Sequence, residues 1–383
     1  MNGLRKFTDK IKPNFVKGGK FGWLQSTFGA FESFLFVPDK VTTKGVHVRD
    51  SVDLKRVVTA ALIALLPCVL FSMWNIGYQR NLAIGGEMGF WAMVWYGFLK
   101  ILPLYLVTYI VGLGIEFTSA QLRGHEVNEG FLFSGLIIPM IVPVTIPLWM
   151  LAVAVAFAVI IGKEVFGGTG MNIWNPALLA RAFLFFSYPN SMSGDSVWVG
   201  LRKADVAIDG FSGATPLALS SEGLDVLTAK YSAADLFFGA IPGSVGETCK
   251  IAILLGAFIL IWTGVGSWKI MLSSVAGALL VGFIGKVGGA TDVPAYYHLL
   301  MGGFLFGTVF MATDPVTAAQ TECGKWIYGF LIGAIAVVIR LFNPGYPEGM
   351  MLSILLMNSF APLIDHCVVS RNINKRLKRA KTV

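Results

Sequence analysis

Charge is scarce in this chain. Only 14% of its 383 residues are Asp, Glu, Lys or Arg, against 55% apolar and 13% aromatic, and the mean hydropathy is +0.69. That composition lies far from soluble averages and points to a polytopic membrane protein. Cysteine is equally sparse: Cys68, Cys249, Cys323 and Cys367 lack the close pairing that zinc, iron–sulfur or c-type haem attachment needs, and read as small packing residues. His47, His125, His298 and His366 are too dispersed to specify a metal or a haem. A dinucleotide fingerprint is missing, because Gly112-Leu113-Gly114 and Gly264-Val265-Gly266 lack the third glycine and the strand-to-helix setting. NADH is therefore not expected to bind here, and these glycines read as close helix contacts. Residues 1–56 are polar and basic, without the apolar core or cleavage site of a secretory signal, so the segment is expected to stay in the mature protein.

What is present is long apolar runs. A span of the hydrocarbon core takes roughly 20 apolar residues, and about ten such runs occur. They are expected near 57–77, 98–118, 131–147, 148–163, 172–188, 249–265, 268–287, 296–314, 325–342 and 348–365. Pro139, Pro143 and Pro147 interrupt the third and fourth, and the Trp- and Phe-rich segment from Gly85 to Phe98 reads as interfacial. Residues 1–56 hold eleven Lys/Arg, and residues 366–383 hold six with no acid, which places both termini in the cytoplasm. Ten crossings agree with that, and the five that precede residue 189 put the loop 189–248 on the other side. The basic excess thus reflects topology and contact with anionic lipid. No interleaving of aromatic and basic residues outside the membrane supports a nucleic-acid partner.

Pro143-Val144-Thr145 recurs as Pro315-Val316-Thr317, and Asn175-Pro176 has a near counterpart in Asn343-Pro344. Five crossings separate the copies, so they would be oppositely oriented, as in transporters whose broken helices meet near the midplane. The expected architecture is all-α: an extension 1–56, a first repeat 57–188, a loop 189–248, a second repeat 249–365 and a basic tail 366–383. Broken helices expose backbone groups that only protein or a water-filled cavity can satisfy, which implies a path for a cation or small solute. Ionisable residues in or beside the spans are Glu116, Glu129, Arg181, Asp314, Arg340 and Asp365. Arg340 reads as a snorkelling side chain, and Glu116, Glu129 and Asp365 as solvated helix ends. Arg181 could pair with one of the acids. Asp314, directly before the second Pro-Val-Thr, reads either as an oxygen ligand for a hard cation such as sodium or as a helix cap.

The one strongly polar block is Asp209-Gly210-Phe211-Ser212-Gly213-Ala214-Thr215-Pro216-Leu217. Small Gly213 and Ala214 leave the Thr215 hydroxyl open to an enzyme, and Pro216 biases Thr215 toward an extended backbone. Ser212-Gly213-Ala214-Thr215 matches the motif in which a threonine carries FMN through a phosphoester, with Asp209 and Gly210 where that motif has an upstream Asp-Gly.

With that block, the chain resembles a family of membrane subunits that comprises the B-type subunit of the sodium-translocating NADH:quinone oxidoreductase and the D-type subunit of the Rnf complex. The resemblance runs through Phe34 to Pro38, His47 to Arg56, Gly124 to Gly130, Asn172 to Ala177, Gly243 to Thr248 and Ala312 to Thr317. The long basic extension favours the sodium pump. The resemblance implies membership of a six-subunit respiratory complex in the bacterial inner membrane. It also implies covalent FMN on Thr215 facing the periplasm, attached by a flavin transferase, and a noncovalent riboflavin elsewhere in the complex. Electrons from NADH, oxidised on another subunit, would pass through these flavins to quinone while sodium crosses. By the same resemblance a quinone site looks like Gly112 and Glu116, with Leu113 where the family has a second glycine. The acids linked to sodium uptake look like Glu116, Asp314 and Asp365, with Glu32 a further candidate in the extension. The alternatives are an inverted-repeat channel without a redox centre, which leaves the flavin-motif loop without a role, and the Rnf-type subunit.

Overall fold

The computed structural model describes residues 2–16, 18–36, 42–46, 48, 53–124, 127, 129–201, 205, 207–208, 211–343 and 348–381. Among these the structure is helical, without a strand. Helices α1 (Asn2–Ile11) and α2 (Gln25–Leu35) precede an apolar body of α3 (Leu54–Ile84), α4 (Phe90–Arg123), α5 (Gly130–Met140), α6 (Leu148–Gly162) and α7 (Pro176–Ser187). Short helices α8 (Pro189–Met192), α9 (Pro216–Ser220), α10 (Leu224–Lys230) and α11 (Ala233–Phe238) follow. The chain then re-enters the body as α12 (Lys250–Trp262), α13 (Trp268–Val287), α14 (Tyr297–Leu300), α15 (Phe304–Phe306), α16 (Glu322–Phe342) and α17 (Met350–Lys381).

Among the described residues, six helices are long and apolar enough to cross a membrane: α3, α4, α6 with the turn that extends it to Phe166, α13, α16 and α17. Three more apolar helices, α5, α7 and α12, have 11, 12 and 13 residues. At 1.5 Å per residue they reach about 16–20 Å, short of the ~30 Å hydrocarbon core. Each fills one of the expected apolar runs without spanning alone. The run 296–314 departs furthest from a single span, being divided into α14, α15 and a π-helical turn Gly307–Met311. Gly302, at φ +60°, turns the chain between the first two pieces, a backbone region that disfavours any side chain.

Proline sets the other break. The run expected at 131–147 is helical only to Met140, because Pro143 and Pro147 offer no N–H to continue the ladder. Within the segment 85–98, Gly85 caps α3 in the left-handed conformation, and a continuous α4 already begins at Phe90. Trp91 and Trp95 remain exposed on its first turns, where an aromatic belt would sit.

Helices α3 and α4 pack together, as do α13 and α16, and α12 lies on α3. Glycines set these approaches. A Cβ on Gly77 or Gly97 would overlap the facing backbone at Met93 or Met73, and one on Gly277 or Gly333 that at Phe330 or Ser274.

Candidate functional site

Two cavities, each bordered by an interruption of helix, hold much of the polar chemistry. The first, of ≈ 260 Å³, is walled by Thr215 with Phe185, Trp198, Arg181, Glu247 and Lys250 among its lining. Thr215 has an extended backbone and caps α9, its Oγ1 accepting from the Ala218 N–H at 3.3 Å, with Pro216 as the first helical residue. The loop before it is tied at several points. Ser212 Oγ donates to Asp195 (2.9 Å), Lys230 Nζ to the Ser212 carbonyl (2.6 Å) and Tyr231 Oη to the Ala214 carbonyl (3.1 Å). Burial holds the Tyr231 phenol above its ordinary pKa, so it stays a donor across the neutral range; burial also lowers the Lys230 ammonium, with Asp195 opposing. Further out, Arg80 grips Asp205 with two hydrogen bonds (2.7 and 2.8 Å), and Tyr96 and Lys100 bond the carbonyls of Gly200 and Leu201. Asp209 and Gly210 lie outside the described residues.

The floor of this cavity is an ion network. Arg181 on α7 pairs with Glu247 (2.6 Å) and with Glu348, so the partner left open by the sequence is two carboxylates from two segments. Lys250, 1% exposed, donates to the carbonyls of Glu247 (2.9 Å) and Gly302 (3.3 Å). Arg340 does not snorkel: it is buried, and its guanidinium bonds the carbonyls of His298, Met301 (3.1 Å) and Glu348 (3.4 Å). The first two of those carbonyls belong to the broken segment, whose unpaired ends need donors.

The second cavity, ≈ 110 Å³, is lined by Asp314, Asn175, Asn172, Thr313, Ser134 and Lys163 together with apolar side chains. Asp314 accepts from Val316 N (3.0 Å), Thr317 Oγ1 (3.1 Å) and Asn175 Nδ2 (3.2 Å). Asp314 thus holds its own turn and also borders a cavity. The π-turn directly before it is a form often found at functional sites. Asn175 caps α7 with its Oδ1, taking the N–H groups of Ala177 and Leu178 at 3.0 and 3.3 Å, and reaches Asp314 with its Nδ2.

Glu116 is corrected from a solvated end to a buried carboxylate in an ion pair with Lys163, which itself lines the second cavity. Gly112 lies one turn before it, where a Cβ would overlap the ring of Phe131. Glu129 faces Lys55 at 3.6 Å. Asp365 stays away from the cavity lining and takes three donors, Gln320 N (2.7 Å), Thr321 N (2.9 Å) and Thr321 Oγ1 (2.5 Å), which anchors the entry to α16. Glu32, paired with Lys12 at 2.6 Å, is remote in the extension. His298 is buried with neither ring nitrogen partnered among the described residues, and His366 is exposed. Sequence reasoning passed over Lys163, Glu247, Lys250 and Glu348; the signal available was a lysine at the head of an apolar run, costly unless it serves a purpose.

Fold and sites together define a multi-pass membrane protein with broken helices and buried charge networks. Residues 41–374 match the NQR2, RnfD, RnfE family, and the chain belongs to it. It is 46% identical to the B-type subunit of the Na(+)-translocating NADH-quinone reductase of Ectopseudomonas mendocina, over 98% of this chain and 99% of that one. Proteins of the same description from Chromohalobacter salexigens (45%, covering 98% and 97%) and Azotobacter vinelandii (44%, covering 98% and 99%) are similar throughout as well.

Proposed function

We infer that the chain serves as the B-type membrane subunit of a Na+-translocating NADH-quinone reductase, an oxidoreductase of several subunits. Near-full-length identity to relatives of that description carries the reading. Within it, Thr215 is the attachment point of covalent FMN, installed by a flavin transferase, with Asp209, Ser212, Gly213 and Ala214 forming the motif around it. The residues present suit that group: a hydroxyl on the wall of an open cavity, two aromatic side chains, Phe185 and Trp198, and buried cations beyond them. When bound, the flavin supplies a redox carrier between NADH and quinone; a second flavin, riboflavin, belongs to the same chain of carriers. The protein's part is to hold the loop still, exclude water and set the charge around the ring.

Asp314, with Glu116 reaching the same cavity through Lys163, forms the sodium path, and Asp365 braces its far end through Gln320, whose Nε2 donates to the Pro315 carbonyl at 2.8 Å. Gly112 and Glu116 border the quinone site. Ten helical segments in two inverted five-helix repeats, 57–188 and 249–365, account for the half-length helices. Corresponding elements pair across the halves, α3 with α12 and α7 with α17, and the α4–α6 and α6–α7 contacts recur as α13–α16 and α16–α17. On this topology the extension 1–56 and the tail 366–383 are cytoplasmic and the flavin loop 189–248 is periplasmic, in the bacterial inner membrane. An inverted-repeat channel would leave the Thr215 loop without a task.

The test is Thr215→Val, co-expressed with a flavin transferase. Intact mass and in-gel fluorescence are expected to show FMN on the wild type and none on the variant, with the chain still folded. A flavin retained on the variant would move the attachment elsewhere.

A further inference from the structure

We propose that Lys250 supplies the positive charge that favours the reduced, anionic flavin ring in the Thr215 cavity, a step that rests on the covalent FMN reading above. Burial grades across this cavity. Thr215 is half-buried and Asp195 exposed, near Lys230, whereas Arg181, Glu247 and Lys250 are 4%, 5% and 1% exposed. A ring tethered at Thr215 therefore enters toward Lys250.

Among the charged residues that line the cavity, Arg181 and Lys250 lie with Glu247 and Glu348 at its buried floor, and Asp195 lies at its exposed mouth. Arg181 is spent on the two carboxylates, and Arg340 on the carbonyls around the broken segment. Lys250 has no carboxylate within ion-pair distance among the described residues. An ammonium carries three donors, and its two protein partners are both carbonyls, so one N–H remains for a ligand. The neighbouring Gly302 and Gly303 carry no side chain into the same floor, and a Cβ on Gly303 would press on the Glu247 carboxylate at 2.5 Å. A buried charge without a counter-ion is costly, and a ligand that becomes negative there relieves the cost.

Reduction of the ring by two electrons and one proton, those the complex draws from NADH, leaves a single negative charge on its N1–C2=O edge. The oxidised ring has none. Lys250 thus binds the reduced form more tightly than the oxidised form, which raises the potential of this carrier.

The experiment uses the full chain, flavinylated in the cell and reconstituted in lipid nanodiscs. The potential of the covalent flavin is read by spectroelectrochemical titration, and the adduct by intact mass. Lys250→Met is expected to keep the adduct and lower the preference for the reduced form by roughly a hundredfold, about 60 mV for a two-electron couple. Lys250→Arg, which keeps the charge, is expected to recover most of that shift. An unchanged potential in a fully flavinylated Lys250→Met overturns the role of Lys250 and leaves the attachment intact. Absence of an adduct on the wild type overturns the attachment itself. A readout on the wild type needs no variant. On acidification the slope of potential against pH steepens from about 30 to about 60 mV per unit when the reduced ring takes its second proton. That change is expected at least about one pH unit below its position in free FMN, and coincidence with free FMN overturns the proposal.

Discussion

Replacing Arg181 by Met tests whether the floor network is a structural keystone. Arg181 is 4% exposed and is the described partner of Glu247, itself 5% exposed, while also holding Glu348. Methionine keeps most of the side-chain volume but strands two carboxylates, one of them deep in the protein. Removing one partner of a buried pair costs about 3–5 kcal/mol, most of it the uncompensated charge. For a chain of this size roughly 2 °C is lost per kcal/mol, so the apparent melting temperature of the purified chain should fall by about 6–10 °C. The decisive measurement is the double-mutant cycle with Glu247→Gln, followed by thermal scanning at one scan rate. Neutralising the stranded acid should recover about 1.5–3 kcal/mol of the loss. A single-mutant loss under about 1 kcal/mol, or strict additivity in the cycle, would refute the network as drawn.

Gly333→Leu should prevent close packing of α13 on α16 and abolish the monodisperse peak in size-exclusion chromatography; a normal elution profile would show that the helices can separate cheaply. Asp365→Asn should cost about 1–2 kcal/mol by weakening the anchor of α16 yet leave the sodium dependence of turnover near wild type, whereas Asp314→Asn should raise the sodium concentration for half-maximal rate at least about tenfold. Equal sodium effects of the two would erase the distinction drawn between them. Arg80→Met should release the loop at Asp205 and speed limited proteolysis between 193 and 215 while the Thr215 adduct persists, and unchanged cleavage kinetics would mean that Tyr96 and Lys100 suffice to hold it.

Much of the framework was readable from hydropathy. Each expected apolar run carries helix, and Pro143, Pro147 and Gly302 sit where the ladders stop, whereas Pro67, Pro103, Pro139 and Pro362 are carried inside helices. Length was less readable. Composition does not reveal whether an apolar stretch spans or turns back, so 131–147 and 296–314 looked like whole crossings. The extent of α4 back to Phe90 was missed for a related reason, since aromatic residues suit both an interfacial segment and the first turns of a span.

Side-chain roles divide along the same line. The extended backbone at Thr215 was legible because the following Pro216 carries its own local geometry. That the Thr215 hydroxyl faces a cavity whose floor holds Lys250 depended on α7, α12 and the segment after α16 converging from positions far apart in the chain. Arg340 and Glu116 illustrate the limit: near a helix end, the sequence favours solvent for both, but packing buries one among carbonyls of a broken segment and the other against Lys163. The sequence alone determined the membrane class and the family, which are written in local composition and order. Only the tertiary structure decided which charges meet, because in a low-dielectric interior an ion's partner is whatever the fold brings within reach, not whatever lies nearby in the chain.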